Sequence, residues 1–181
     1  MIKIYDGVVE DHVAELISVK MKDVVWKFDY SSNHNHKSRH WHVLCGNTGK
    51  QIISNGFEWV MPIWTAAMLK YEFKNNYNVN TYKRVYMNAH THGVEPVMHT
   101  DDGDFTMIYY PRMDWKPEWG GGTLIDGELV PYVGNRLVVF DAFLPHMAMP
   151  VSRECYELRS VIVFKTVIDG ANRERLDFYK D

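Results

Sequence analysis

Three residues have the types and the spacing of a metal site: His99, Asp101 and His146. In His99-Thr100-Asp101 the first and third side chains project to one face of an extended strand, so both can reach the same ion. A third ligand is then required. His146 is the candidate because it follows RLVVFDAFLP, an apolar segment in which a solvent-seeking histidine is out of place. Two imidazoles and one carboxylate are the facial ligand set of non-haem Fe(II) oxygenases, and zinc accepts the same ligands.

Arg159 helps to distinguish between the two classes of enzyme that use these ligands, an iron oxygenase and a zinc hydrolase. It opens the otherwise apolar run SVIVF, and an arginine in a buried strand needs an anionic partner that accepts two hydrogen bonds. A small dicarboxylate co-substrate would be such a partner, and Tyr110 would donate a further hydrogen bond to the same carboxylate. Asp141 and Glu157 remain as alternative partners in a structural ion pair.

A strand is predicted over residues 82–88, where polar and aromatic residues alternate with Lys, Val and Met. The alternation places Arg84, Tyr86 and Asn88 on one face. We expect this face to line the cavity beside the metal, with Tyr86 or Asn88 hydrogen-bonded to the metal-bound end of the co-substrate. A solvated face of an outer sheet is the alternative, chiefly for Arg84.

Two tryptophans, Trp115 and Trp119, bracket Pro117 just before three consecutive glycines. They are expected either to form the hinge of a lid or to flank a peptide-binding groove. Together with Arg84 they are the candidate substrate-binding residues.

Other histidines occur in two groups. His34, His36, His40 and His42 alternate within the polar segment 29–50, which we interpret as a long solvated loop, with adventitious metal binding as the alternative.

The second group, His90 and His92 with Glu95, imitates the first half of a cupin metal motif. The second half requires a Pro-x-Gly followed closely by histidine, whereas Gly134 precedes His146 by twelve residues. The spacing therefore argues against a cupin.

The elements that must position these residues divide the chain into two parts. Helices are predicted at residues 10–21, where apolar residues recur on one face, and from Pro62 to residues 75–76. Short β-branched and aromatic segments follow, from TYKRVYMNA to LRSVIVFKTV, separated by Gly, Pro or Asp. This order favours a mainly β fold, a double-sheet jelly roll or barrel with helices on one flank.

Length and composition fit one globular domain over residues 1–181, with residues 1–80 as helical support and a variable loop and residues 81–168 as the catalytic core. Hydrophobic residues make up 46% and charged residues 24% of the chain, which argues against disorder. A net charge of −3 gives no reason to expect nucleic-acid binding, and no apolar run approaches a membrane span. With two cysteines and no signal peptide, the protein is expected in the cytoplasm.

Over residues 82–167 the chain resembles the 2-oxoglutarate/Fe(II)-dependent oxygenases, specifically the prolyl 4-hydroxylase-like branch. The segments that carry the resemblance are, in the family's order, RVYMNAHTHG before HTD, IYYPRMDWKPEWGGGTL, RLVVFDAFLPHMAMPV and RSVIVF. The resemblance implies a double-stranded β-helix, the jelly roll of that family.

The same resemblance implies a set of site residues. Fe(II) would be held by His99, Asp101 and His146. The distal carboxylate of 2-oxoglutarate would be held by Arg159 and Tyr110. Oxygen is then the second co-substrate, and ascorbate is a further candidate as an auxiliary reductant.

The leading hypothesis is therefore a dioxygenase that hydroxylates an unactivated carbon and releases succinate and CO2. A peptidyl proline in a peptide or protein is the substrate that the resemblance favours, and a small molecule is the alternative. Two other classes stay open: a jelly-roll metal-binding protein without turnover, and a cupin-type enzyme that does not use 2-oxoglutarate. The sequence does not indicate an oligomeric state.

Overall fold

The computed structural model describes residues 1–32, 36–95 and 97–168. Strands account for most of the regular structure. They are β1 (Ile2–Asp6), β2 (Lys27–Tyr30), β3 (His40–Gly46), β4 (Val79–His90), β5 (Phe105–Tyr110), β6 (Thr123–Ile125), β7 (Glu128–Val130), β8 (Arg136–Asp141), β9 (His146–Ala148) and β10 (Arg159–Ile168). All pairs between these strands are antiparallel.

The strands form two sheets. Seven of them build the larger sheet in the order β1-β8-β5-β10-β4-β3-β2, and the smaller sheet has the order β7-β6-β9. An isolated bridge between His99 and His146 adds the HTD segment beside β9. The predicted mainly β jelly roll is confirmed.

Helices occupy one flank of the larger sheet. They are α1 (Asp11–Lys22), α2 (Gly49–Ser54), α3 (Met61–Lys70) and α4 (Phe73–Tyr77), with 3-10 turns at Glu58–Val60 and Pro117–Trp119. Helix α1 confirms the helix predicted at residues 10–21. The single helix predicted to run from Pro62 to residues 75–76 is wrong, because the chain turns into the left-handed region at Glu72 (φ 50°) and α4 begins anew.

The larger sheet separates two hydrophobic cores. Met87 and Ile162 on its helical side belong to one core together with Ile17 of α1 and Ile63 of α3. The opposite face belongs to a second core that includes the smaller sheet. Since successive side chains of a strand point to opposite faces, each central strand contributes to both cores.

Strand β10 shows this division most clearly. Ile162 and Phe164 enter the helical core, whereas Val161 and Val163 enter the core shared with the smaller sheet. Arg159 lies on the same face as Val161, so the strand directs its one arginine into the space between the sheets.

The segment 29–50 departs from its interpretation as a solvated loop. β2 ends at Tyr30 and β3 covers His40–Gly46, so His40 and His42 belong to a strand of the larger sheet. Their alternation is the period of a strand whose polar face lines a cavity. His34 lies outside the described residues.

The first 80 residues therefore supply more than helical support. They contribute β1, β2 and β3 to the larger sheet as well as the four helices. Among the described residues, no helix is both long enough and apolar enough to cross a membrane.

Candidate metal centre and co-substrate pocket

Backbone pairing brings the three predicted ligands together. The backbone N–H of His99 donates to the carbonyl of His146 (3.0 Å), and the N–H of His146 donates back (2.9 Å). The N–H of Asp101 donates to the carbonyl of Ala142 at 2.8 Å, which fixes the carboxylate beside the two rings. The ligand atoms of His99, Asp101 and His146 all lie within 4.8 Å of one another.

Both imidazoles present the same nitrogen to the cluster. Nδ1 of His99 donates to the Val97 carbonyl (2.8 Å) and Nδ1 of His146 donates to the Leu144 carbonyl (2.9 Å). A carbonyl only accepts hydrogen bonds, so each Nδ1 carries the proton and each Nε2 keeps its lone pair for a metal. Nε2 of His146 lies 3.2 Å from Asp101 Oδ2, and Nε2 of His99 lies 3.8 Å from Oδ1.

The electrostatics of the rings agree with this tautomer. Burial, reinforced by the neighbouring His146, lowers the pKa of His99 to about 4, and burial also lowers the pKa of His146. Both rings are therefore neutral at neutral pH, the form in which histidine binds a metal. Two neutral imidazoles and a carboxylate fit a divalent transition metal, Fe(II) or Zn(II).

A buried lysine lies next to the carboxylate. Lys165 is 1% exposed, and its Nζ contacts Asp101 Oδ2 directly and lies 3.3 Å from Thr106 Oγ1. The Thr106 hydroxyl donates to the same Oδ2 at 2.7 Å. Burial lowers the pKa of Lys165 to about 6, and the nearby cations Arg84 and Lys83 lower it further.

Arg159 is 3% exposed and is held by neutral acceptors. Its Nε donates to the carbonyl of Gly121 (2.8 Å), and its Nη2 donates to the carbonyl of Gly122 (3.3 Å) and to Thr123 Oγ1 (3.1 Å). Gly121 has φ +72°, and a Cβ there would lie 2.9 Å from Arg159 Cγ, so the glycine makes room for the arginine stem.

No carboxylate of the described residues lies within 4 Å of the Arg159 guanidinium. The two acids that the sequence offered as partners are engaged elsewhere. Asp141 accepts the backbone N–H of Phe143 at 3.0 Å, and Glu157 accepts from Arg112 at 3.0 Å. Arg159 is thus a buried cation without a protein counter-ion in the described part of the chain.

Tyr110 lies beside Arg159, one layer behind Thr123. Its hydroxyl donates to Thr123 Oγ1 at 2.7 Å, and its ring centre is 5.8 Å from the guanidinium carbon of Arg159. Thr123 itself lines the cavity, and the sequence analysis missed it because a threonine in a short strand carries no signal of its own. Tyr110 itself is fully buried and is not part of the cavity wall, so its predicted hydrogen bond to a co-substrate carboxylate stays a prediction.

An open cavity joins these groups. Its wall contains the three candidate ligands as well as residues from both sheets and the loops. The predicted co-substrate residues Tyr86, Asn88 and Arg159 all line it. Asn88 Oδ1 accepts a hydrogen bond from His42 Nδ1 at 2.7 Å, so β3 fixes the orientation of that amide.

The three predicted substrate residues lie outside this wall. Trp115 stacks on Tyr132 (4.6 Å between ring centres), with Trp119 at 5.1 Å from Trp115. Arg84 bonds Asp102 at 3.1 Å. The tryptophans are therefore packing residues next to the arginine site, and the prediction that they contact substrate has no support in the cavity geometry.

Two histidines on the wall were not predicted there. His40 and His90 occupy adjacent strands on the cavity face, and the sequence analysis placed His40 in a loop and His90 in a rejected cupin motif. His90 Nε2 donates to the Met149 carbonyl at 3.2 Å. His40 Nε2 is buried, with no hydrogen-bond partner among the described residues.

The sequence matches no protein-family model, and no curated protein matches it significantly. Solved structures with a similar fold do exist. One is a prolyl hydroxylase from Trichoplax adhaerens in complex with a hypoxia inducible factor oxygen degradation domain peptide fragment. Its sequence is 14% identical to this chain, the superposition covers 91% of this chain and 83% of that chain, and the TM-score is 0.59.

Two further structures extend the comparison. A 2OG-Fe(II) oxygenase family oxidoreductase from Burkholderia pseudomallei is 11% identical, with 92% of this chain and 84% of that chain covered and a TM-score of 0.65. HygX from Streptomyces hygroscopicus, with nickel and 2-oxoglutarate bound, is 7% identical, with 93% and 83% covered and a TM-score of 0.61. The chain thus has the fold of the 2-oxoglutarate/Fe(II) oxygenases, prolyl hydroxylases among them, as the sequence resemblance implied.

Loss of any one ligand should abolish tight metal binding. We expect His99→Ala, Asp101→Ala and His146→Ala to weaken Co(II) or Zn(II) binding by more than about a hundredfold, with a stability change in the two histidine variants smaller than that of a core truncation. Metal titration and thermal unfolding measure the two effects. His40→Gln is the matched control and should still bind one equivalent of metal. Wild-type metal affinity in any of the three ligand variants would refute the site.

The buried histidines of the cavity should make the metal-free protein sensitive to acid. Burial lowers the pKa of His40 to about 4 and that of His90 to about 3. In the unfolded chain both histidines become protonated near pH 6.5, whereas in the folded protein they stay neutral until the pH is much lower. The free energy of unfolding should therefore fall as pH decreases from about 6.5 to 4. Urea unfolding at several pH values measures this. His90→Gln should flatten the decline, and the surface variant His12→Gln should not.

Proposed function

We propose that this protein is an Fe(II)- and 2-oxoglutarate-dependent dioxygenase that hydroxylates an unactivated carbon, with release of succinate and CO2. One observation carries the proposal. The cavity that contains a His-Asp-His cluster also contains Arg159, a buried cation with no carboxylate from the described residues beside it. A dicarboxylate that reaches from the metal to the guanidinium would satisfy both.

The ligand set supports the metal half of the proposal. His99 and His146 would each offer Nε2, and Asp101 would offer a carboxylate oxygen. Three ligands on one side leave the other coordination positions open for a bidentate co-substrate and O2. Bound Fe(II) would supply the oxidative chemistry, in which 2-oxoglutarate is decarboxylated as O2 is reduced.

The far end of the cavity supports the co-substrate half. Arg159 donates a hydrogen bond to the Thr123 hydroxyl, and Tyr110 donates another to the same oxygen. We assign Arg159 and Thr123, supported by Tyr110, to binding the distal carboxylate of 2-oxoglutarate. Nη1 of Arg159 has no acceptor among the described residues, so it is left to donate to a ligand. Val161 and Val163 form an apolar wall that would exclude water from the reacting end.

We assign Tyr86 and Asn88 to the metal-proximal end of the co-substrate. Both line the cavity from β4. The hydrogen bond from His42 holds Asn88 in one orientation, which suits a residue that must meet a fixed ligand.

For the substrate, we propose a peptidyl proline in a peptide or protein. The Trichoplax structure, whose fold this chain shares, holds a peptide fragment, which supports a peptide-binding role for the fold. A polar small molecule is a second candidate, because the cavity wall also contains Ser32, Ser38, His40 and Glu95. These groups offer hydrogen bonds that a proline ring does not use.

The co-substrate assignment predicts a graded loss of affinity. Arg159→Ala should weaken 2-oxoglutarate binding on the order of a hundredfold, if a buried charged contact of about 3 kcal/mol is lost. Arg159→Lys keeps the charge without the planar fork and should weaken it less. Tyr110→Phe should give a milder effect still. The measurement is binding at fixed Fe(II) without O2.

In this experiment Arg136→Ala is the matched control, since it removes an arginine that bonds Asp6 and is not part of the cavity wall. Metal affinity should stay unchanged in all of these variants. Unaltered 2-oxoglutarate binding in Arg159→Ala would favour the alternative, a jelly-roll metal-binding protein or cupin-type enzyme that does not use 2-oxoglutarate.

Substrate class is tested by succinate release. Proline-containing peptides should stimulate succinate formation above the uncoupled rate, and the same peptides with alanine in place of proline should not. Hydroxyl-rich small molecules serve as the comparison set. Stimulation by these molecules, and not by the peptides, would replace the peptidyl proline with a polar small substrate.

A further inference from the structure

We infer that Lys165 is a positioning residue which, together with Thr106, restricts Asp101 to binding a metal through one oxygen. The inference rests on the metal site of the proposed function and not on its reaction. It concerns a side chain that no step above uses, although it touches the candidate metal ligand.

The sheet directs Lys165 towards this carboxylate. In β10 the side chains of Arg159, Val161, Val163 and Lys165 fall on one face, and the first three line the cavity. Lys165 lies directly opposite Thr106 of the neighbouring strand β5, so the amine and the hydroxyl lie on the same face of the sheet. The strand thus carries two buried basic side chains into the space between the sheets, six residues apart, and both are at most 3% exposed.

The two donors share one oxygen of Asp101. The Thr106 hydroxyl donates to Oδ2 at 2.7 Å, and Lys165 Nζ contacts the same atom. A carboxylate oxygen has two lone pairs, so these donors saturate Oδ2. Oδ1 accepts no hydrogen bond from the described residues and is the oxygen left for a metal. Binding through one oxygen leaves a further coordination position for a co-substrate.

The charges around Lys165 give the contact its significance. The nearby cations Lys83 and Arg84 both bond Asp102, at 2.8 and 3.1 Å. Within the described chain, Asp101 is the one acid within 4 Å of Lys165. As a donor to Oδ2, Lys165 keeps that oxygen away from a metal while it orients Asp101. A structural ion pair elsewhere in the core would not affect how Asp101 binds a metal.

The experiment uses Co(II) as the probe, because its visible absorption reports coordination number. Lys165→Met keeps the length of the side chain and removes the donors. We expect this variant to bind Co(II) about tenfold more tightly, because the freed Oδ2 can also bind the metal. We also expect an altered absorption spectrum, as Oδ2 joins the metal, and 2-oxoglutarate binding to the Co(II)-loaded protein that is about tenfold weaker.

Two further variants sharpen the test. Thr106→Val removes the hydroxyl at constant shape and should change the spectrum in the same direction, whereas Thr106→Ser keeps the hydroxyl and should restore the wild-type spectrum. Lys83→Met is the matched control, since it removes an exposed lysine that bonds Asp102. It should leave Co(II) affinity and spectrum unchanged.

Equal or weaker Co(II) binding in a folded Lys165→Met protein, with a wild-type spectrum, would overturn the inference and leave a structural ion pair. If Lys165→Met does not fold, Thr106→Val decides: an altered spectrum supports the inference and a wild-type spectrum overturns it. Failure of the proposed function would appear separately, as wild-type protein that binds Co(II) and not 2-oxoglutarate.

Discussion

The central constraint on the structure is a buried guanidinium, Arg159, that has no carboxylate partner among the described residues. Removing a charge from water is costly unless hydrogen bonds and a counter-ion compensate it. Arg159 donates hydrogen bonds to three neutral acceptors, the carbonyls of Gly121 and Gly122 and the Thr123 hydroxyl. No carboxylate of the described residues lies beside it. The glycines let the backbone approach the arginine stem, and the stacked Trp115 and Tyr132 pack around it. The guanidinium is therefore available for an anionic ligand.

The larger sheet makes this arrangement possible because its two faces have different tasks. The helical face is closed by a continuous hydrophobic core, which stabilises the sheet independently of the cavity. The opposite face is therefore able to carry polar groups: Arg159 and Lys165 from β10, Asn88 and His90 from β4, and His40 from β3. The backbone pair between His99 and His146 closes the site from the smaller sheet.

The sequence was most informative where a residue type conflicted with its surroundings. His146 after an apolar strand and Arg159 at the start of another both line one cavity with His99 and Asp101. The polar segment 29–50 was misread, because a strand whose face lines a polar cavity has the composition of a loop. Thr123 and Lys165 were missed because no sequence spacing relates them to their contacts, Tyr110 of the facing sheet and Thr106 of the neighbouring strand. The sequence does not decide the role of the tryptophans, since large aromatic side chains serve packing and recognition equally well.

Anaerobic titration of the Fe(II)-loaded protein with 2-oxoglutarate tests the central claim most directly. A co-substrate that binds the metal through its 1-carboxylate and keto oxygen, with its far end on Arg159, produces a weak visible charge-transfer band. The account predicts that this band appears and saturates at one equivalent, and that succinate replaces 2-oxoglutarate once O2 is admitted. A protein that binds Fe(II) at the His99, Asp101 and His146 cluster and shows neither the band nor 2-oxoglutarate binding would contradict it.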